Sequence, residues 1–220
     1  MKHFVVYSHG FGVKKDDRGL FTDIARVVPS AEHILFDYNE INQAGNTLSV
    51  TPLRQQASLL NQKLGALPQD AVVDIIAHSQ GCVVTAMAKP KDVRQILCLA
   101  PPVNLSQERI VRMFGSRSGA VINLEGQSTI PRRDGSTTII PKDYWASIEI
   151  DVIDLYNDFP NFSKTTFIIA KDDEVLGTSN FEQLDSRIEL TQLDGDHDFT
   201  GDTRQNLTNA VKERLSTSIV

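Results

Sequence analysis

The stretch VVDIIAHSQGCVV, Val72–Val84, joins two apolar runs through a short corner that contains a single serine. The first run, VVDIIA, is typical of a strand buried on both faces, and a helical pattern begins at Gly81. A turn this tight leaves little room two residues before and after Ser79, where the sequence places Ala77 and Gly81. Because ligands bind beyond the carboxyl ends of parallel strands, the pattern predicts that the serine oxygen lies in a pocket at that edge.

Apolar, β-branched runs of this kind recur along the chain and alternate with amphipathic segments. The predicted strands are Phe4–Ser8, His33–Phe36, Val72–Ala77, Gln95–Leu99, Thr165–Ala170 and Ile188–Leu193. The predicted helices are Leu20–Val28, Pro52–Leu64, Gly81–Ala88 and Thr203–Leu215. Alternation of helices with nearly continuous apolar strands predicts an α/β fold, with a mostly parallel sheet of about six strands flanked by helices.

One segment interrupts this alternation. Residues 102–159 contain two helical pieces, Glu108–Phe114 and Asp143–Tyr156, but no repeated strand–helix pattern. The segment is too long for an ordinary connection in a compact domain and too structured for a flexible linker. We therefore predict an α/β core formed by residues 1–101 and 160–220, with residues 102–159 inserted as a lid over one end of the sheet.

Composition and charge limit the classes of partner. The chain has 220 residues, of which 40% are hydrophobic and 23% charged, as in an ordinary globular protein of one domain. The formal net charge of −6 argues against nucleic acid or an anionic membrane as a partner. The basic pair Arg132 and Arg133 is isolated in a turn, where we expect solvated charges; recognition of a substrate carboxylate is the alternative.

The N-terminal residues and the cysteines bear on the cellular compartment. The apolar run before Gly10 is too short for a membrane span, and no signal-peptide cleavage site follows it. Cys82 and Cys98 both lie in apolar runs, where two buried free thiols are the usual arrangement in a reducing compartment. We therefore expect a cytoplasmic protein, for which a homodimer is one candidate assembly.

The serine corner matches the nucleophile elbow, G-x-S-x-G, with Ala77 in the first small position. A serine needs a general base to act as a nucleophile. His197 is the candidate, because it follows the last predicted strand in the turn LDGDHDFTG and has no evident packing role there. The remaining histidines are His3, His9, His33 and His78. His78 adjoins the serine, but in an elbow its side chain is expected to point away from the pocket, which favours a structural role.

A carboxylate and two oxyanion donors complete the chemistry that an elbow serves. The strand TTFIIA runs into KDDEV, so Asp172, Asp173 and Glu174 are all candidates for the carboxylate that orients the base. The chain order serine, acid, histidine fits each of them. The candidate oxyanion donors are the N–H of Gln80, at the start of the helix, and the N–H of Phe11, in the turn SHGFG after the first strand.

In this order the motifs resemble those of the small bacterial α/β-hydrolase esterases, especially the cinnamoyl/feruloyl esterase-like group. The likeness extends over nearly the whole chain: HSQGCVVTAMA resembles the elbow and its helix, ILCLAPPVNL the next strand, and FDYN the end of the second strand. KDDEV resembles the acid loop and DGDHDF the histidine loop. The resemblance implies a catalytic triad of Ser79, Asp173 and His197, and a lid in the place of the irregular segment.

The elbow chemistry and the resemblance predict a serine hydrolase that cleaves carboxylic esters, aryl or hydroxycinnamoyl esters among them, through an acyl-enzyme. The expected partner is a small-molecule ester, and this chemistry requires no metal or organic cofactor. Amidases, peptidases, thioesterases and C–C hydrolases share the framework, and a non-catalytic binding module is a further alternative. Tyr144 and Trp145 are candidate substrate-binding residues; packing of both, and of Tyr156, onto the core is the other interpretation.

Overall fold

The computed structural model describes residues 1–132, 134–177 and 180–216, so Arg133 lies outside the described part of the chain. The strands are His3–Ser8 (β1), Glu32–Ile34 (β2), Glu40–Asn42 (β3), Thr47–Ser49 (β4), Val72–His78 (β5), Gln95–Leu99 (β6), Ser128–Pro131 (β7), Thr137–Ile140 (β8), Lys164–Ala170 (β9) and Glu189–Leu193 (β10). The helices are Leu20–Val27 (α1), Leu53–Gly65 (α2), Gln80–Ala88 (α3), Gln107–Phe114 (α4), Lys142–Ser147 (α5), Val152–Asn157 (α6) and Thr203–Ser216 (α7), with a 3₁₀ turn at Phe159–Asn161.

The main sheet has six strands in the order β10-β9-β6-β5-β1-β2. Each neighbouring pair in it is parallel. This confirms the predicted α/β class with a mostly parallel sheet. The strand that leads into the serine corner, β5, lies between β1 and β6 in the interior of the sheet. The turns that follow these three strands therefore meet at one edge.

Helices cover both faces of the main sheet. On one face α2, α3 and α6 pack against side chains that include Val6, Ile75 and Ile96. On the other face α1 and α7 pack against side chains that include Val5 and Ile76. These five strand residues are 0% exposed, and burial of each contributes about 1.5–3 kcal/mol. Because both faces are buried, the strands have continuous apolar sequences instead of alternating ones.

A second sheet, which the sequence analysis did not predict, has the order β3-β4-β8-β7. One antiparallel hairpin, β3–β4, comes before the serine corner, and the other, β7–β8, lies within residues 102–159. The hairpins join through the parallel pair β4–β8, in which Leu48 lies opposite Thr138. The insertion therefore has regular structure and is hydrogen-bonded to the preceding chain. Strands of three or four residues are too short for an alternating pattern to reveal them.

The second helical piece predicted in the insertion, Asp143–Tyr156, is two helices instead of one. Helix α5 ends at Ser147 and α6 begins at Val152. The side chain of Asp151 accepts the N–H of Asp154 at 3.1 Å and caps α6, a start signal inside an otherwise helical pattern. The break lets α5 pack against α2 while α6 packs against α3. Over the described ranges, no helix combines the length and apolar character needed to cross a membrane.

Candidate active site

The serine corner is a strained and closely packed turn. Ser79 joins β5 to α3 with φ 52° and ψ −125°, a conformation that residues other than glycine rarely adopt. Its backbone N–H donates to the carbonyl of Leu99 at 2.9 Å and holds the turn beside β6. A Cβ atom on Gly81 would overlap the carbonyl oxygen of Ser8, so a larger residue there would force β1 and α3 apart.

Three side chains from distant parts of the chain meet beside this turn. The Oγ of Ser79 lies 2.9 Å from Nε2 of His197, and Nδ1 of His197 lies 2.8 Å from Oδ2 of Asp173. The side chains of His197 and Asp173 are only 7% and 5% exposed. A hydroxyl, an imidazole and a carboxylate in this order can pass the serine proton to the imidazole while the carboxylate stabilises the imidazolium.

The structure distinguishes the three acidic residues that follow β9. Asp173 faces the imidazole, and its second oxygen, Oδ1, accepts two backbone N–H groups of its own turn at 2.9 and 2.6 Å. Glu174 instead accepts the backbone N–H of His197 at 3.3 Å, and Asp172 is exposed. Of the three, Asp173 is therefore the one whose carboxylate is both fixed by the backbone and in contact with the histidine ring.

Phe11 and Gln80 line the same pocket as Ser79. Gln80 is the first residue of α3, so its N–H has no acceptor within the helix. Within the described chain, no protein oxygen accepts the backbone N–H of Phe11 or of Gln80. The Gln80 side chain is held by Gln56 and by the hydroxyl of Tyr144, which anchors the start of the helix. Two available N–H groups beside a serine can stabilise a developing oxyanion.

The pocket beside Ser79 encloses about 160 Å³, and α4 of the insertion forms one of its walls. The apolar residues of the insertion that line it are Leu105, Ile110, Met113 and Phe114. The guanidinium of Arg109 donates to the carbonyl oxygens of Val175 and Leu176 at 3.1 and 2.7 Å. This contact fixes α4 to the turn that carries Asp173. Residues 102–159 thus form part of the pocket wall, and Arg109 connects them to the turn that carries Asp173.

Tyr144 and Trp145, the sequence-based candidates for substrate binding, do not line this pocket. Both are 0% exposed, as is Tyr156. The Tyr144 ring packs behind Phe11, with ring centroids 5.4 Å apart, and the Trp145 indole N–H donates to Ser128 at 3.1 Å. The structure thus places both rings in the core, where α5 packs against α2, and not in the pocket beside Ser79.

A second imidazole–carboxylate pair lies next to these residues. Nδ1 of His78 is 2.8 Å from Oδ2 of Asp17, and Nε2 of His78 is 3.0 Å from the carbonyl oxygen of His197. Both nitrogens face acceptors, an arrangement that only the doubly protonated imidazolium satisfies. Oδ2 of Asp17 also accepts the N–H of Gly10 at 2.8 Å. The pair thus joins the turn after β1, the serine corner and the His197 loop.

Burial and pairing act in opposite directions on the pKa values of this pair. Burial acts to raise the pKa of Asp17 and to lower the pKa of His78. The charge and hydrogen bond of the partner outweigh burial, so the pKa of Asp17 falls to about 2 and the pKa of His78 is raised above its usual value. His78 is among the residues that line the pocket, and its ring contacts are those of the structural residue that its sequence position favours.

Replacing Asp17 with Asn should lower the free energy of unfolding by about 3–5 kcal/mol, because it leaves His78 as an unpaired buried charge. The loss should be greatest between about pH 4 and pH 6.5. Below that range the carboxyl of Asp17 becomes protonated in the unfolded chain but stays ionised in the folded protein, where its pKa is about 2. The contribution of the pair to stability therefore falls as the pH is lowered. Above it, the unfolded histidine loses its proton first, so the contribution of the pair fades as pH rises through the raised pKa of His78.

Urea denaturation of both proteins from about pH 3 to about pH 9 measures this difference. Asp16→Asn is the matched control, since the Asp16 side chain makes no hydrogen bond or ion pair with any described residue. Its effect should stay within about 0.5 kcal/mol. A destabilisation by Asp17→Asn that is constant over the whole pH range would contradict the ionised pair.

Three groups at this edge have the residue types and spacing of a metal site. His78, His197 and Asp198 place potential ligand atoms within 4.8 Å of one another. Each is already engaged, however: the two imidazoles as described, and Asp198 by Arg18, whose Nη1 lies 2.7 and 2.6 Å from its two carboxylate oxygens. A metal ion here would have to displace the contact of His197 with Ser79 or Asp173. The hydrogen bonds account for the cluster without one.

Asp17 and Arg18 are not among the site residues predicted from the sequence, although their charged surroundings offer one signal. Both lie in the charged run DDRG, close behind the turn SHGFG. Their φ values are 46° and 57°, in the left-handed region that residues other than glycine adopt uncommonly. Their partners, His78 and Asp198, are 61 and 180 residues away along the chain. No local pattern could therefore pair them.

Comparison with known proteins identifies the fold. No protein-family model matches the chain, and no curated protein matches its sequence. The α/β hydrolase GrgF from Penicillium sp. sh18 is similar in structure, with a TM-score of 0.65 at 18% identity over 97% of this chain and 90% of that one. Est1E from Butyrivibrio proteoclasticus, with ferulic acid bound, gives 0.66 at 15% identity over 96% and 87%. A monoacylglycerol lipase from Paleococcus ferrophilus gives 0.66 at 12% identity over 96% and 93%.

The chain therefore has the α/β-hydrolase fold, as its sequence motifs predict. Its similarity to proteins of this fold extends over nearly all of both chains. The structures that it resembles also include a pyrethroid hydrolase from Sphingobium faniae, so the fold accommodates different substrates. A substrate class must be argued from the residues of this site.

Proposed function

We propose that the protein is a serine hydrolase that cleaves carboxylic esters through an acyl-enzyme. The observation that carries the proposal is the line of hydrogen bonds from Ser79 to His197, 2.9 Å, and from His197 to Asp173, 2.8 Å. Serine is a weak nucleophile unless a base takes its proton, and this line supplies both the base and the carboxylate that orients it. The α/β-hydrolase fold supports the same assignment.

In the first half-reaction the Oγ of Ser79 attacks the ester carbonyl carbon while Nε2 of His197 takes the hydroxyl proton. Negative charge develops on the carbonyl oxygen, where the N–H groups of Phe11 and Gln80 are the proposed donors. Each such donor lowers the barrier by about 3 kcal/mol. His197 then gives its proton to the leaving alcohol, and the acyl group stays on Ser79. Asp173 stabilises the imidazolium throughout.

Water completes the second half-reaction. Nε2 of His197 takes a proton from water as the water oxygen attacks the acyl carbonyl carbon. The bond between that carbon and the Oγ of Ser79 breaks, the serine oxygen regains the proton from His197, and the free acid leaves. The same two N–H groups, at the positive end of α3 and in the turn after β1, stabilise this second oxyanion.

Within this class we propose aryl esters, hydroxycinnamoyl esters among them, as substrates. The pocket of about 160 Å³ suits a compact group. Two aromatic rings, those of Phe11 and Phe114, stack in its wall with centroids 5.5 Å apart, a surface against which a planar ring can pack. The similarity to Est1E, which holds ferulic acid, supports the same choice.

A fluorophosphonate probe and a panel of acyl donors test the proposal. The probe should label the protein once, and peptide mass spectrometry should locate the label on Ser79. The panel contains alkyl, aryl and hydroxycinnamoyl esters with matched thioesters and amides, and we expect the esters to be cleaved fastest. Faster cleavage of the thioesters or amides would assign another substrate class. A protein that is neither labelled at Ser79 nor active on any acyl donor would be a binding module of this fold.

A further inference from the structure

Beside the Ser79 pocket lies a second cleft of about 490 Å³, which we call the arginine cleft because Arg18, Arg117 and Arg132 line it. The cleft and the pocket share a wall: Arg18, Arg117 and Phe114 line both. A substrate whose ester group lies at Ser79 can therefore extend into the arginine cleft.

Arg132 is a cation of this cleft whose hydrogen-bond partners are neutral groups. Its Nη1 donates to the carbonyl oxygen of Gly12 and to the Thr138 hydroxyl, both neutral acceptors. It forms no ion pair with a carboxylate of any described residue. Burial, followed by the positive charge of Arg18, lowers the pKa of Arg132, and the negative charge of Asp134 offsets only part of this effect. The surroundings thus penalise its positive charge, and a bound anion would relieve the penalty. The expectation of a solvated turn charge is wrong for Arg132, which is partly buried.

The carboxylates that line the arginine cleft have other partners. Asp198 is held by Arg18 at 2.7 and 2.6 Å. Glu174 accepts a backbone N–H from the His197 loop. Asp134 is exposed, and one of its oxygens accepts both the N–H and the hydroxyl of the nearby Ser136. None of the three forms an ion pair with Arg132.

An aromatic stack leads from the Ser79 pocket to the arginines. The ring of Phe11 stacks on that of Phe114. The guanidinium of Arg117 lies over the Phe114 ring, 4.5 Å from its centroid. The cleft thus combines an apolar wall near the serine with guanidinium groups farther out. Guanidinium groups present paired N–H donors whose geometry matches carboxylate and phosphate oxygens.

We propose that the arginine cleft binds an anionic oxygen group, a carboxylate or a phosphate, carried by the part of the ester substrate that does not react. The inference rests on the ester hydrolysis proposed above and narrows its substrate class to charged esters. General attraction of anions is not the basis, because the formal net charge of the chain is −6. We attribute the selectivity for anionic esters to Arg117 and Arg132, which line the cleft.

Three 4-nitrophenyl esters with the same six-carbon acyl chain, ending in a methyl, a carboxylate or a phosphonate group, test this proposal. A second series carries the same end groups on a phenolic alcohol, since either part of an ester can extend into the cleft. We expect kcat/KM to be higher for an anionic ester than for its neutral counterpart by at least about tenfold. The two anionic esters distinguish carboxylate from phosphate recognition.

Arg132→Gln and Arg117→Gln should each remove most of this preference, measured as the ratio of kcat/KM for the anionic ester to kcat/KM for the neutral ester. Arg112→Gln is the matched control: Arg112 lies on α4 but outside both cavities, and pairs with Glu108 at 2.6 Å. It should leave the ratio unchanged. High salt should reduce the preference of the wild-type protein, because it screens the charges.

The outcomes separate this inference from the proposed function. Hydrolysis of neutral esters with no preference for either anionic group, in either series, would overturn the inference and leave the ester hydrolase standing. A preference that persists in both arginine variants would also overturn it. Failure to hydrolyse any ester, with no labelling of Ser79, would instead contradict the proposed function. If Arg132→Gln does not fold, Arg117→Gln and the salt dependence of the wild-type protein decide the question.

Discussion

Ser79→Ala should lower kcat/KM for ester hydrolysis by about 10⁴-fold or more, because it removes the oxygen that forms the acyl bond. The pocket and the N–H groups of Phe11 and Gln80 remain, so a slow residual reaction with water is expected instead of complete loss. The substitution removes only the Oγ atom of Ser79, so the fold should be retained. Initial rates on an aryl ester, together with the urea unfolding transition of the variant, measure the two effects separately.

Ser163→Ala makes the same chemical change at the opposite edge of the sheet, just before β9 begins at Lys164. Its kcat/KM should stay within about twofold of the wild-type value. The fluorophosphonate probe should label this control and not the Ser79 variant. Full esterase activity in purified Ser79→Ala would refute the assignment of Ser79 as the nucleophile, despite its contact with His197.

Asp173→Asn should lower kcat by about 10³–10⁴-fold while leaving the turn intact. The amide oxygen of Asn can still accept the two backbone N–H groups that Oδ1 accepts at 2.9 and 2.6 Å. The amide nitrogen then faces Nδ1 of His197 as a donor, so the imidazole is held in the wrong tautomer and its protonated form loses the stabilising charge. Burst and steady-state kinetics on an aryl ester measure the loss.

Two neighbours in the same turn are controls for Asp173. Asp172→Asn alters an exposed carboxylate, and Glu174→Gln keeps an oxygen that can accept the His197 backbone N–H. We expect kcat/KM of each to remain within about threefold of the wild-type value. A larger loss in Asp172→Asn or Glu174→Gln than in Asp173→Asn would move the orienting role to that residue.

The elements that carry the candidate site follow from local sequence. The corner after β5 is readable because an apolar run, a serine and two small residues stand in one short stretch. The small residue at Gly81 has a physical reason in the structure, where it lies against the carbonyl of Ser8. The positions of His197 and of the acidic turn after β9 are readable for the same reason, since each follows a strand in a stretch rich in turn residues.

The insertion shows where local patterns fail. The strands β7 and β8 are four residues each, and β8 is paired with β4, far earlier in the chain. Aromatic residues at helical spacing predict that Tyr144 and Trp145 share a face, but not whether that face turns to a pocket or to the core. Because α5 packs against α2, both rings lie in the core.

A local sequence pattern indicates which faces of a segment are buried. Such patterns were sufficient to predict the α/β class, the serine corner and the chain order of its partners. Which segments share a pocket depends on packing in three dimensions. Ser79 and His197 are 118 residues apart, and the choice of Asp173 over its neighbours rests on the direction of one side chain. The ionised pair of Asp17 with a histidine and the arginine cleft are of the same kind: their charges meet through the folded chain, which spacing along the sequence does not encode.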